Sequence, residues 1–143
     1  MKRYKIFLLL FLPLISSTSK NNITQKTQII GSWIFIEDVA NDTFFSIKKV
    51  KKLESDKPGI QFRKNGKLIK RQNSGWCGTP PIAYANYDGT WELRNKILTL
   101  KYSYFNGSIE EEWEIIEIKN NILKYKLKNT RTINNKSILH LKN

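Results

Sequence analysis

One cysteine, Cys77, and one histidine, His140, are all that this chain of 143 residues holds of the usual soft metal ligands. A zinc site of the Cys/His kind needs about four such ligands, so counting excludes it. A single thiol also excludes an intramolecular disulfide, and the fold must be held by packing alone. Apolar runs are short: the longest, Ile6 to Ile15, is broken by Pro13 and falls below the roughly 20 residues that a membrane-spanning helix requires. No segment carries helical periodicity of ordinary length. Acidic side chains are scarce, 12 against 25 basic ones, for a net charge of +13. Cys77 and His140 could make a nucleophile and base only if the fold joined them, and no third residue stands out to orient them. The acidic run Glu110 to Glu114 lacks the convergent oxygens of a calcium site and reads mainly as a solvated strand face. Neither catalysis nor a cofactor is therefore expected.

What is present begins with an export signal. Lys2, Arg3 and Lys5 precede the apolar run, and Ser17 and Ser19 stand where a peptidase needs small residues before a cut at Lys20. No cysteine follows the run, so a lipid anchor is not indicated. The expected layout is a signal peptide over 1–19, a polar, flexible lead-in over 20–28 and one β domain over 29–143, working in the periplasm or outside the cell. Cleavage would remove three of the 25 basic groups and none of the 12 acidic ones, leaving +10. Charge of this size opposes self-association, so a monomer is expected over a dimer, while an anionic envelope surface stays open as a partner. Much of the charge is lysine alternating with apolar residues, as in Lys124, Lys126 and Lys128, which marks solvated strand faces rather than a nucleic-acid patch. No nucleic-acid partner is expected.

From Ile29 onward the pattern is β. Trp33, Phe35 and Glu37 share one side of a first strand with Ile34 and Ile36 on the other, and Gly31 marks a bulge or a close backbone approach. Phe44 to Val50 is a second candidate. Ile60 and Phe62 alternate with Gln61 and Arg63 before Asn65-Gly66, a two-residue hairpin signal, and Leu68 opens a return strand reaching about Asn73. An irregular segment spans Ser74 to Asn86. Strands follow near Tyr87 to Leu93, over Leu98 to Tyr104, and after Asn106-Gly107 through Trp113 and Ile115. There a phase slip to Ile116 and Ile118 predicts a β-bulge. Leu123, Tyr125 and Leu127 alternate with lysines after Asn120-Asn121, and a last strand is expected near Ser137 to Leu141. The sum is an all-β, antiparallel up-and-down meander of about eight strands. Closing into a barrel hides its edges better than a two-sheet sandwich would.

Gly31-Ser32-Trp33, the Phe62 to Gly66 hairpin, Gly89-Thr90-Trp91-Glu92-Leu93 and Leu98-Thr99-Leu100, in that order, resemble the small exported lipocalin-like proteins of Bacteroidetes-type bacteria. The resemblance covers about residues 29 to 128. It implies a calycin-type barrel that binds a small apolar or amphipathic ligand without catalysis. It also implies an arginine packed over Trp33 from near the last strand, for which Arg131 is the candidate. The Thr-Asp-Tyr motif of larger lipocalins is absent, and their C-terminal helix is not expected.

The expected ligand-binding residues are aromatic. Trp76 lies in the stiff Gly75-Trp76-Cys77-Gly78-Thr79-Pro80-Pro81 loop, and Tyr84 and Tyr87 flank it as candidates for a mouth. Trp91, Tyr102, Tyr104 and Trp113 complete the set, as an apolar lining with polar tips. Aromatics of this kind more often simply fill the core. In that case the barrel is a self-filled scaffold with a basic exterior that docks on an envelope or surface partner.

Overall fold

The computed structural model describes residues 18–36, 44–75, 82–104 and 107–134. One helix, α1 (Thr18–Ile29), is followed by eight strands: β1 (Gly31–Ile36), β2 (Phe45–Val50), β3 (Gly59–Phe62), β4 (Lys67–Asn73), β5 (Tyr84–Arg94), β6 (Ile97–Tyr104), β7 (Gly107–Lys119) and β8 (Ile122–Asn134). They close into an antiparallel barrel in the order β1-β2-β8-β7-β6-β5-β4-β3. From β3 to β8 each strand pairs with the next, through short turns everywhere except the ten-residue connection between β4 and β5. The strict meander fails at one place. β1 lies between β2 and β3, and β2 rather than β1 closes the ring on β8. The chain from β2 must therefore pass β1 before entering β3. A side chain at Gly59, the first residue of β3, would meet the Trp33 carbonyl oxygen at 2.6 Å and Leu53 of that connection at 2.8 Å.

The expected turns are refined by backbone geometry. Asn120 and Asn121 both have positive φ, 51° and 61°, as a two-residue type I′ hairpin requires. At Asn65-Gly66 only Gly66 does (φ 75°), and its N–H bonds the Arg63 carbonyl at 3.2 Å. That is a type I turn closed by a glycine bulge, so the two-residue reading there is corrected. The bulge expected near Ile115-Ile116 is present as a register shift between Ile115 and Glu117, with a second shift between Glu112 and Trp113. Ile116 is thereby turned outward while Ile118 packs on the core. β5 starts at Tyr84, inside the segment expected to be irregular. The strand expected over Ser137 to Leu141 lies outside the described residues.

Residues 20–28, expected as a flexible lead-in, belong instead to α1. Its sequence has almost no apolar face, and tertiary contacts hold it. Ile29 is fully buried; the Trp33 indole N–H donates to the Ile29 carbonyl at 2.7 Å and Lys49 Nζ to the Gln28 carbonyl at 2.8 Å. Helix-end carbonyls have no partner within the helix, and a cation is favoured there. Lys49 Nζ also stands 5.1 Å from the Trp33 ring centroid, while Lys26 of α1 lies 5.6 Å from that of Trp91. The helix thus closes one end of the barrel. The cation over Trp33 is Lys49, not Arg131, which lies opposite Glu110 in strand register on the outer face, far along β8. Gly31 (φ 132°) leaves room for it, because a side chain there would meet the Lys49 stem at 2.9 Å. Lys49→Met keeps the stem and removes the charge. It is expected to lower the unfolding free energy by about 1–2 kcal/mol, read from urea titration.

Candidate functional site

Inward positions follow from alternation and register. The helix-side half is filled by Trp33, Ile47, Ile60, Phe62, Leu68, Trp91, Leu98, Leu100, Ile115 and Leu123, all buried. Trp91 belongs to this layer. Its indole N–H bonds the Arg63 carbonyl at 3.0 Å and its ring meets Phe62 edge-on at 5.4 Å, so it packs an end and lines no mouth.

Above that floor the inward residues change character. β4 presents Leu68, then Lys70, then Gln72 on its inner face, and Lys70 is only 6% exposed. β7 presents Glu111 and Trp113 on its inner face, between outward Glu110, Glu112 and Glu114. Lys70 Nζ stands 3.6 Å from Glu111 Oε2, an ion pair too long to be a hydrogen bond. It faces three rings: Phe35 at 4.6 Å, Trp113 at 5.1 Å and Tyr102 at 5.3 Å from their centroids. The Tyr102 hydroxyl donates to Glu111 Oε1 at 2.5 Å and the Trp113 indole N–H to Oε2 at 2.8 Å. Trp113 stacks on Tyr125 at 4.0 Å, and Phe35 meets Trp113 edge-on at 6.3 Å. A buried ion pair is thus enclosed in an aromatic box.

The box shifts protonation in directions set by burial and by Glu111. Desolvation lowers the Lys70 pKa, against the opposing pull of the carboxylate. Desolvation first, then the negative charge of Glu111, pushes Tyr102 and Tyr125 well above the ordinary phenol value of 10.0. A phenol whose folded pKa is raised keeps its proton longer in the folded state. Its contribution to stability is complete below pH 10 and is lost as pH climbs through the folded value. Stability is therefore expected to fall above pH 10, with Tyr102 and Tyr125 resisting ionisation in a titration followed at 295 nm.

Beyond the box lies the end opposite α1. There Tyr87 and Tyr104 meet edge-on at 5.2 Å and, with Ile109, are only partly buried. Thr130 and Thr132 pair with inward Glu111 and Ile109 yet remain exposed. β2 pairs with β8 only from Ile122 to Tyr125, so among the described residues the remainder of β8 has β7 alone as neighbour. Among the described residues no further element covers this end of the interior.

A lipocalin-like domain is matched over residues 29–125, about two thirds of the chain and most of the barrel. This chain belongs to the lipocalin-like domain family. Comparison with curated proteins and with solved structures gave no match. Of the residues expected from sequence, the lipocalin-like barrel gathers Tyr87, Tyr102, Tyr104 and Trp113 in its box and open half. It leaves Trp91 at the closed end and puts Tyr84 on the opposite face of β5 from Tyr87. Trp76 lies outside the described residues. Sequence reasoning missed Lys70, Gln72, Glu111, Phe35 and Tyr125. The first three had a legible signal: Lys70 and Gln72 continue the inward phase of Leu68, and Glu111 shares that of Trp113. Glu111 is thus a correction to the solvated acidic face, which holds for Glu110 and its Lys101 partner at 2.9 Å.

Proposed function

We propose that this lipocalin-like protein is an exported carrier that takes a small apolar or amphipathic molecule into the open half of its barrel, in the periplasm or outside the cell. The observation that carries this reading is the division of the interior. The half next to α1 is packed solid with aliphatic and aromatic side chains. The other half ends in partly exposed Tyr87, Tyr104 and Ile109 around a box whose polar atoms are held in place. Rigid aromatics with fixed polar tips suit recognition of a molecule with an apolar body and few polar atoms. No catalytic step forms part of the reading.

The test is a panel of lipophiles scored by thermal shift, followed by amide chemical-shift mapping of the best binder. Shifts grouped at Tyr87, Tyr104 and Ile109 are expected. A panel without thermal shift, or shifts grouped around α1, would overturn the carrier and leave the barrel as a self-filled scaffold with a basic exterior. The packed lower half is what favours that second reading. Amino-terminal sequencing of protein recovered outside the cytoplasm tests export, with Lys20 the expected first residue.

A further inference from the structure

Lys70 and Gln72 stand two residues apart on the inner face of β4, about 6.6 Å along the strand, with Gln72 nearer the open end. An ammonium carries three N–H donors and a carboxamide nitrogen two. Glu111 is the single ion-pair partner of Lys70 among the described residues, at 3.6 Å, and its two oxygens also accept from Tyr102 and Trp113. The three rings around Lys70 stabilise its charge but accept no directed hydrogen bond of ordinary strength. Gln72 Nε2 is buried with no hydrogen-bond partner among the described residues. Gln72 thus holds an unused donor two residues along the same wall from the Lys70 ammonium, whose one ion-pair contact is a long one. Buried donors without acceptors are costly, and native structures rarely keep them without a reason.

The charge of the box decides what kind of acceptor fits. Lys70 and Glu111 already balance. A ligand cation would meet the Lys70 ammonium directly. A ligand carboxylate would leave the interior with one net negative charge beside Glu111 and would have to shed its own hydration, a cost that a nearby positive charge seldom recovers when that charge is already paired. A carbonyl oxygen has two lone pairs, carries no net charge and sheds little water. Tyr87 lies opposite Lys70 in register, and its ring contact with Tyr104 continues the wall towards the rim.

We infer that the ligand is an uncharged amphiphile bearing a carbonyl group, its oxygen received between the Lys70 ammonium and the Gln72 carboxamide and its apolar body lying against Tyr87, Tyr104 and Ile109. This rests on the carrier reading and names the class of molecule carried.

Three probes of similar size separate the possibilities: 4-phenylbutan-2-one, 3-phenylpropanoate and butylbenzene, each titrated into the purified protein and followed by amide chemical shifts. The ketone is expected to bind about tenfold more tightly than the other two, the scale of one hydrogen bond from a charged donor. Gln72→Leu should abolish that preference. Lys70→Met/Glu111→Leu, which removes both charges together and so spares the fold an unpaired one, should do the same. Tightest binding by the carboxylate would overturn the inference, as would a ketone preference that survives both variants. Equal binding of all three at Tyr87, Tyr104 and Ile109 would overturn it while leaving the carrier intact. Binding by none would remove both.

Discussion

Glu111→Ala is expected to lower the unfolding free energy by about 3–5 kcal/mol, the range found when one member of a buried ion pair is removed. The loss has two parts. Lys70 stays 6% exposed with its ammonium in an aromatic box and no counter-charge. The Tyr102 hydroxyl and the Trp113 indole N–H lose the acceptor they share. Lys70→Met should cost less, because the carboxylate it leaves behind still accepts two hydrogen bonds. The double variant Lys70→Met/Glu111→Leu should recover most of the Glu111→Ala loss, since an apolar pair of similar volume avoids desolvating any charge. Urea unfolding of the three variants, arranged as a double-mutant cycle, measures the coupling. A Glu111→Ala cost below about 1 kcal/mol would mean that water reaches Lys70 freely and that the box is open.

Trp113→Ala is the other large effect, about 3–5 kcal/mol on the scale of buried aromatic truncations. Trp113 is buried, stacks on Tyr125 at 4.0 Å, takes the edge of Phe35 and donates to Glu111, so its loss opens a cavity where three strands meet. Aromatic pairs of this geometry contribute beyond the area they bury. Trp113→Phe should restore the stack but not the hydrogen bond and fall between. The near-ultraviolet circular dichroism of the protein should lose much of its intensity in the alanine variant, because a stacked Trp–Tyr pair fixes ring orientation. An alanine variant with unchanged midpoint and spectrum would show that Trp113 does not hold the box.

Most strands were legible because each alternates cleanly over a strand length. Leu98 to Tyr104 and Leu123 to Leu127 read directly as one buried and one solvated face, and the slip at Ile115-Ile116 located a bulge before any register was known. The helix was not legible, since Thr18–Ile29 has no apolar stripe and is fixed from outside, by Trp33 and Lys49 bonding its last carbonyls. The placement of β1 between β2 and β3 left no local mark either, because strand order depends on which edges meet when the sheet closes.

The candidate site divides in the same way. Aromatic content pointed to Tyr87, Tyr102, Tyr104 and Trp113, but alternation alone could not separate Trp91, at the closed end, from Tyr102, in the box. The Glu110 to Glu114 run hid Glu111 among solvated neighbours of identical chemistry.

The sequence by itself determined an all-β chain of about eight antiparallel strands with one aromatic and aliphatic side apiece, because side-chain alternation is a local property of the strand. Only the tertiary structure decided which inward residues share a level. Closure of the barrel brings Lys70 from β4, Glu111 and Trp113 from β7, Tyr102 from β6 and Phe35 from β1 to one point, and that convergence turns two out-of-place charges into a pair.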